Sequence, residues 1–246
     1  AGFKERLLNM VREEMGPDVD MANFTPSYNP WDQRVCLVPD SDLFKAIKSG
    51  KASIVTDHVE TFTKDGIKLK SGKMLEADVV VTATGLKMLT GGSAAISVDG
   101  QPVNFGEKIN YKGVMFSGIP NFGMTMGYTN ASWTLKADLT SEYVCRLINF
   151  MDKNGTPIAT PTLPAGEAME TEPMLDFSSG YVQRAIKDLP KQGDRKPWRL
   201  NQNFPKDIIN LRHKAVDDGV IVFSRPTAAA VSSAGNQAEA EVIAAE

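Results

Sequence analysis

Residues 77–85 constrain the fold of this chain more than any other stretch of its sequence. They read Ala-Asp-Val-Val-Val-Thr-Ala-Thr-Gly, so a run of β-forming residues is followed at once by small ones. This pattern predicts a fully buried parallel strand from Asp78 to Thr82 that runs into a tight turn. Because Thr84 and Gly85 carry little side-chain bulk, a flavin or nicotinamide dinucleotide can lie flat against their backbone. An ordinary buried strand before a glycine turn fits the same residues.

Hydrophobic periodicity in the rest of the chain predicts helices and short strands. Helices are expected over residues 3–15, 42–48 and 132–152, the last with an apolar stripe and an i,i+4 pair of Glu142 with Arg146. Short strands are expected at residues 53–56, 58–63, 67–70, 114–117 and 124–126, with a further hairpin turn at Asp99 and Gly100. Prolines in residues 157–173 predict a semi-rigid connector. The fold class predicted from this pattern is α/β.

Composition and net charge limit the kinds of molecule that this chain is expected to bind. The chain has 246 residues, is 42% hydrophobic and carries a net charge of −3, which suits a packed core and argues against nucleic acid or an anionic membrane as the main partner. No apolar run is long enough to span a bilayer. Cys36 and Cys145 are far apart and are expected to be free, buried thiols in a reducing cytoplasm, with membrane association left open. The chain opens on Ala1 rather than methionine, which predicts a missing beginning.

The turn at residues 127–132 is a candidate ligand site. Asn130 or Ser132 can cap the long helix that follows and leave other N–H groups of its first turn free to face a ligand. A helix start stabilises negative charge, and a reduced flavin carries its charge at one edge of its ring system. A plain capped helix with nothing bound fits the same residues.

Two further segments carry candidate site residues. Arg34 follows an aromatic loop and would be a permanent cation if it were held in a cleft; it could equally stack on Trp31 and pair with Asp32. Trp198 offers one indole donor next to amide side chains, on a segment that could cover a site; a rim aromatic among solvated basic residues fits equally.

Several catalytic classes lack their motifs in this sequence. His58 and His213 are isolated, so neither a metal site nor a Ser-His-Asp arrangement is predicted. Neither a Gly-x-x-x-x-Gly-Lys phosphate loop nor a Gly-x-Gly-x-x-Gly dinucleotide fingerprint occurs.

Taken together, these segments resemble a known family. Residues 77–85 are similar to the Asp-x-x-x-x-Ala-Thr-Gly motif of flavin-containing and Baeyer–Villiger monooxygenases, where the chain returns from the NADPH domain to the FAD domain. Residues 111–133 resemble that superfamily's final FAD-domain strand and helix start. Residues 29–34, 128–139 and 197–203 resemble the ethionamide-activating monooxygenase subgroup, although Leu86 stands where many relatives have an aromatic residue.

The resemblance implies a two-dinucleotide-binding flavoprotein with Rossmann-like domains, of which this chain is the carboxy-terminal half. The glycine motifs for FAD and NADPH and the Baeyer–Villiger fingerprint lie outside the sequence. The implied domains are the later part of the NADPH domain with its hairpin unit (1–82), the end of the FAD domain (83–155), an extension that covers the site (156–226) and a disordered tail (227–246).

The same resemblance implies the cofactors and the site. Arg34 stands at the position of the family's active-site arginine, where a fixed cation stabilises a peroxide anion and positions the nicotinamide. The residues implied to contact FAD or NADPH are Thr84, Gly85, Thr129, Asn130, Ala131 and Trp198.

The implied function is an FAD- and NADPH-dependent monooxygenase that passes one oxygen atom from O2, through a C4a-peroxyflavin, to a ketone or to a sulfur or nitrogen centre such as a thioether or thioamide. The half-chain is expected to be inactive without its amino-terminal half, its expected partner. Two alternatives stay open. One is a truncated, non-catalytic module that binds a nucleotide or a protein partner, and the other is a different two-dinucleotide flavoprotein reductase.

Overall fold

The computed structural model describes residues 2–33, 35, 38–166, 168–175 and 177–226. Three sequence predictions fall outside them: the catalytic role of Arg34, the buried thiol of Cys36 and the disordered tail 227–246. The described chain is a mixed α/β protein with small antiparallel sheets. Its described residues divide into a smaller unit, within 2–86 and 177–181, and a larger unit, within 87–175 and 182–226.

The elements run along the chain as follows. The helices are α1 (Phe3–Met15), α2 (Asp42–Lys48), α3 (Trp133–Asn154), α4 (Gly180–Ala185) and α5 (Phe204–Asp207), and α5 continues as a π-helix over Ile208–His213. Short 3-10 turns lie at Met21–Phe24, Pro39–Ser41, Thr90–Ser93 and Phe105–Glu107. The strands are β1 (Val59–Thr63), β2 (Gly66–Leu69), β3 (Met74–Glu76), β4 (Ser97–Val98), β5 (Gln101–Pro102), β6 (Asn110–Tyr111), β7 (Met115–Phe116), β8 (Ile158–Pro161), β9 (Thr171–Pro173), β10 (Lys191–Gly193) and β11 (Ile221–Ser224).

The smaller unit contains α1, α2 and an antiparallel sheet in the order β1-β2-β3. Both helices have the bounds that periodicity predicts, and α1 ends at Gly16, which adopts φ 95°. The hairpin turn needs glycine at position 66, where a Cβ atom would lie 2.0 Å from the Leu75 carbonyl oxygen. The strand predicted at residues 53–56 is wrong, since those residues have no strand partner in the described chain.

The prediction of a buried parallel strand at residues 77–85 is also wrong. None of these residues belongs to a strand, and Val79 and Val81 are 78% and 84% exposed. The physical reason is that β-formers make a strand only where a neighbouring strand receives their backbone hydrogen bonds. The sheet of the smaller unit ends at β3, one residue before this segment, and provides no such neighbour.

The larger unit is built around α3. Leu139, Tyr143 and Leu147, three members of the predicted stripe, are buried and pack in a core with Tyr111 and Trp198. A second cluster contains Phe105, Phe116 and Ile119. The helix ends at Gly155 in the left-handed conformation, as the sequence predicts.

Hairpins and strand pairs complete the larger unit. The predicted turn at Asp99 and Gly100 joins β4 to β5. The predicted strand at 114–117 is present as β7, whereas residues 124–126 form no strand. The predicted connector over residues 157–173 is wrong in part, because it contains β8, which pairs with β11, and β9, which pairs with β10.

Two predictions about α3 side chains are wrong. Cys145 is exposed, because it lies two residues from the buried Tyr143 and so on the opposite face of the helix. Glu142 does not pair with Arg146. Instead, Arg212 Nε lies 2.6 Å from the Glu142 carboxylate, and Arg146 donates to the carbonyl oxygens of Leu211 and Lys214. The end of the π-helix supplies carbonyl acceptors that the helix sequence cannot reveal.

Among the described residues, no helix is long and apolar enough to cross a membrane.

Candidate functional site

The turn at residues 127–132 leads into α3 and is shaped by one close approach. Gly127 is buried, and a Cβ atom there would lie 2.1 Å from the Trp133 ring. Only glycine therefore allows the Trp133 indole to lie across the turn backbone. Tyr128 is 2% exposed and points into the unit, while Asn130 is exposed. The turn thus has an anchored inner residue and an accessible outer part.

Gln202 holds the outer part of this turn. Its side-chain oxygen accepts hydrogen bonds from the Thr129 backbone N–H (2.9 Å) and hydroxyl (3.1 Å). Its backbone carbonyl accepts a further bond from the Asn130 side-chain amide at 3.2 Å. Gln202 itself adopts φ 46°, a left-handed conformation that is uncommon for a residue other than glycine. The turn is therefore fixed by a residue more than seventy positions away.

Asp207 anchors the inner part of the turn. Its carboxylate accepts hydrogen bonds from the Tyr128 hydroxyl (2.8 Å), the Lys136 ammonium (2.8 Å) and the Asn201 amide (2.7 Å). The side chains of Lys136 and Asp207 are 2% and 4% exposed. Burial raises the pKa of Tyr128, and its bond to Asp207 adds to that shift. Burial lowers the pKa of Lys136, an effect that the charge of Asp207 opposes.

A second hydrogen-bonded network joins the β6–β7 hairpin to Asp218 and to Tyr143 of α3. Asp218 accepts from the Lys112 ammonium (2.7 Å) and from the Tyr111 hydroxyl (2.7 Å), which also lies 3.4 Å from the Tyr143 hydroxyl. Burial raises the pKa of Tyr111, and it raises the pKa of Tyr143 to about 12. Burial alone would raise the pKa of Asp218, but the bonds from Lys112 and Tyr111 outweigh it and hold that pKa below its ordinary value.

The start of α3 differs from the predicted capped helix. Ser132 occupies the N-cap position, but its hydroxyl bonds the Thr134 hydroxyl at 2.7 Å instead of a backbone N–H. The side-chain amide of Asn130, the other predicted cap, donates to the Gln202 backbone carbonyl. The first turn of α3 therefore receives no side-chain cap, which leaves its backbone N–H groups without a side-chain acceptor.

The predicted site residues fall in different parts of the described chain. Thr129, Asn130 and Ala131 form one turn in the larger unit. Thr84 and Gly85 are exposed in the smaller unit. The backbone at position 85 adopts φ 116°, a conformation that strongly favours glycine. Arg34 lies outside the described residues.

Trp198 is not the rim residue that its basic neighbours suggest. It is 1% exposed and packs edge-on against Tyr111, with ring centroids 5.6 Å apart. In this structure its indole has almost no surface with which to contact a ligand, and its predicted cofactor contact stays a prediction.

Sequence reasoning missed Gln202, Asp207 and Lys136 as residues that shape the turn. The amides near Trp198 gave a signal for Gln202, because they lie in a segment already singled out. Lys136 sits next to the apolar stripe of α3, which is a weaker signal. Nothing in the sequence marks Asp207. In the part of the chain that the structure describes, no group of three or more His, Cys, Asp or Glu side chains could hold a metal ion.

Comparison with known proteins identifies close relatives. The chain is 49% identical over 224 residues to "FAD-containing monooxygenase EthA" of Mycobacterium tuberculosis, an alignment that covers 91% of this chain and 46% of the relative. It is 47% identical over 232 residues to the protein of the same name from Mycolicibacterium smegmatis, covering 94% of this chain and 47% of the relative. It is 48% identical over 221 residues to "Probable FAD-binding monooxygenase AlmA" of Acinetobacter baylyi, covering 90% of this chain and 44% of the relative.

These alignments confirm the resemblance to FAD monooxygenases and show that it is partial. The chain spans about half the length of the curated relatives it matches. No protein-family model matches it.

Proposed function

We propose that this chain is part of an FAD- and NADPH-dependent monooxygenase with a two-dinucleotide, Rossmann-like fold. The substrate would be a ketone or a sulfur or nitrogen centre such as a thioether or thioamide, and one atom of O2 would pass to it. The observation that carries the proposal is the turn at residues 127–132. Its uncapped helix start and buried anchors fit a flavin edge. Sequence identity near one half to FAD monooxygenases supports it.

The chain's own residues would bind and orient the cofactors. FAD would supply the oxygen chemistry when bound. Asn130 and Ala131 would present polar backbone groups to its edge, while Thr129 would do so only in part, because Gln202 already accepts from its N–H and its hydroxyl. Thr84 and Gly85 would let the cofactor approach their backbone closely.

Arg34 would supply a fixed positive charge at the reacting centre. A guanidinium stays protonated at any working pH, so it would stabilise developing negative charge and orient NADPH without a proton transfer of its own. Trp198 would lie near NADPH. In this structure it is buried, so its role would be to support the backbone of residues 197–202 that holds the turn.

The exposed valines support the proposed partner. Val79, Val80 and Val81 are exposed β-formers without a strand neighbour among the described residues. A further polypeptide of the kind that makes up the other half of the relatives would supply neighbouring strands and the glycine motifs. The isolated chain would then neither hold FAD nor turn over substrate.

The first test uses the longest reading frame that contains this chain. We expect the expressed protein to retain FAD through desalting. When it is supplied with a ketone and with a thioether in separate assays, the amount of NADPH oxidised should match the amount of oxygenated substrate formed. A colourless protein that neither binds flavin nor oxidises NADPH would favour the non-catalytic module. Flavin reduction without oxygen incorporation from labelled O2 would favour a reductase.

The second test replaces Arg34. In the same flavoprotein, Arg34→Ala should keep the bound flavin and lose oxygenated product, whereas the matched variant Arg12→Ala on α1 should keep both. Normal product yield in Arg34→Ala would overturn the assigned role.

A further inference from the structure

A cavity lies in the larger unit, apart from the predicted cofactor contacts. It encloses about 360 Å³, within the range of small-molecule sites. None of Thr129, Asn130, Ala131 and Trp198 lines it. Its wall is formed by Lys112, Lys196, Pro197, Arg199, Asn201, Asp207, Asn210, Lys214, Ala215, Asp218 and Val220.

The carboxylates of this cavity are already neutralised. Asp218 is bound by Lys112 at 2.7 Å and by the Tyr111 hydroxyl. Asp207 is bound by Lys136 at 2.8 Å, as well as by Tyr128 and Asn201. Neither acid is therefore left to attract a cationic ligand or to accept many further hydrogen bonds.

The remaining charges of the cavity are positive. Lys196 and Lys214 have no ion pair among the described residues, and Arg199 meets only the half-exposed Glu172 at 3.3 Å, a residue outside the cavity wall. Such an exposed pair is weak and competes poorly with a bound anion. The wall thus carries positively charged side chains that are not paired with one of its acids, together with the amide of Asn210. Both of its carboxylates are already bound by other groups.

Hydrogen bonds to the backbone hold both sides of the cavity. On one side, the Lys112 N–H donates to the Pro197 carbonyl at 2.9 Å, and the Lys112 carbonyl accepts from Lys136 at 3.0 Å. On the other side, Arg146 donates to the Lys214 carbonyl at 2.7 Å, just after the π-helix. Short π-helical segments are frequently found at functional sites. These bonds hold the backbone at Pro197 and Lys214, next to or at two of the cationic residues of the wall.

We propose that this cavity binds a phosphate-bearing small molecule. Lys196, Arg199 and Lys214 would contact the phosphate, since clustered ammonium and guanidinium groups match its charge and its many acceptor oxygens. Pro197, Ala215 and Val220 form an apolar part of the wall against which an organic group on the phosphate would pack. The proposal does not depend on the flavin function, because its cations are not among the predicted cofactor contacts.

The test measures binding to this chain by calorimetry, with inorganic phosphate, phenyl phosphate and phenylacetate as separate probes. We expect saturable binding of phenyl phosphate that weakens as salt rises. Replacing both lysines (Lys196→Ala with Lys214→Ala) should weaken it by about tenfold or more, or about 1.4 kcal/mol. The matched pair Lys153→Ala with Lys187→Ala removes the same charge from exposed positions outside the cavity and should leave affinity unchanged.

The probes separate the sources of the phosphate. Tighter binding of phenyl phosphate than of inorganic phosphate would assign the site to an organic phosphate, and equal binding would assign it to the free ion. Absent binding, equal losses in both lysine pairs, or phenylacetate binding as tightly as phenyl phosphate would each overturn the proposal. Circular dichroism of every variant confirms that the exposed substitutions leave the fold intact.

Discussion

The Lys136 ammonium lies 2.8 Å from the Asp207 carboxylate, and both side chains are buried beneath the turn that leads into α3. The two residues are 71 positions apart. Their pairing joins the long helix to the segment that carries Gln202, and Tyr128 joins the same carboxylate from the turn itself. The shape of the candidate cofactor turn therefore depends on a charge pair that lies outside the turn itself.

Breaking this pair on one side should destabilise the chain strongly. Lys136→Met leaves the Asp207 carboxylate buried without its counter-charge, and we expect a loss of about 3–5 kcal/mol in the free energy of unfolding. The double variant Lys136→Met with Asp207→Leu should lose less than the sum of the two single variants, because no lone charge remains. Urea unfolding of the four proteins measures this. A cost below about 1 kcal/mol for Lys136→Met would show that the pair contributes little.

Removing the Gln202 side chain should loosen the turn and leave the fold intact. Gln202→Ala deletes the acceptor of two Thr129 hydrogen bonds. We expect faster hydrogen exchange at the Thr129 amide and a stability loss of about 1 kcal/mol. Gln101→Ala, at an exposed position in β5, serves as the matched control. Unchanged exchange at Thr129 would mean that other contacts fix the turn.

Asp218 should contribute stability that is lost in acid. Its pKa in the folded chain lies below the ordinary value of 3.8, so the unfolded chain binds the proton first as pH falls. The contribution is fully present above that ordinary value and disappears as pH drops through the folded value. Asp218→Asn should therefore flatten the fall in unfolding free energy below about pH 4. Urea titrations at a series of acid pH values test this, and equal slopes for both proteins would contradict it.

The stripe of α3 should carry much of the core energy. Leu139 is 0% exposed, and Leu139→Ala should cost about 2–5 kcal/mol through lost burial and the cavity left behind. Ile148→Ala, on the same helix but 50% exposed, should cost far less. Thermal unfolding compares them directly. Similar losses would show that this helix is not packed as described.

Local patterns predicted what local forces control. The bounds of α1 and α2, the buried stripe of α3, the turn at Asp99 and Gly100 and the glycine end at Gly155 follow from periodicity and turn chemistry among neighbours in sequence. The similarity to FAD monooxygenases also followed from the sequence, because short motifs in a fixed order are a property of the chain alone. These features need no knowledge of what packs against them.

The sequence by itself thus determined the helices, the turns and the family likeness, and only the tertiary structure decided the partners. Glu142 pairs with Arg212 rather than Arg146, Gln202 meets Thr129, and Lys136 finds Asp207, in each case across about 70 residues of chain. Residues 77–85 illustrate the same limit, since four β-forming residues follow one another there and yet none of the nine residues belongs to a strand. The physical reason is that propensity acts within a few residues, whereas hydrogen bonds and charge pairs form with whatever group the folded backbone brings within reach.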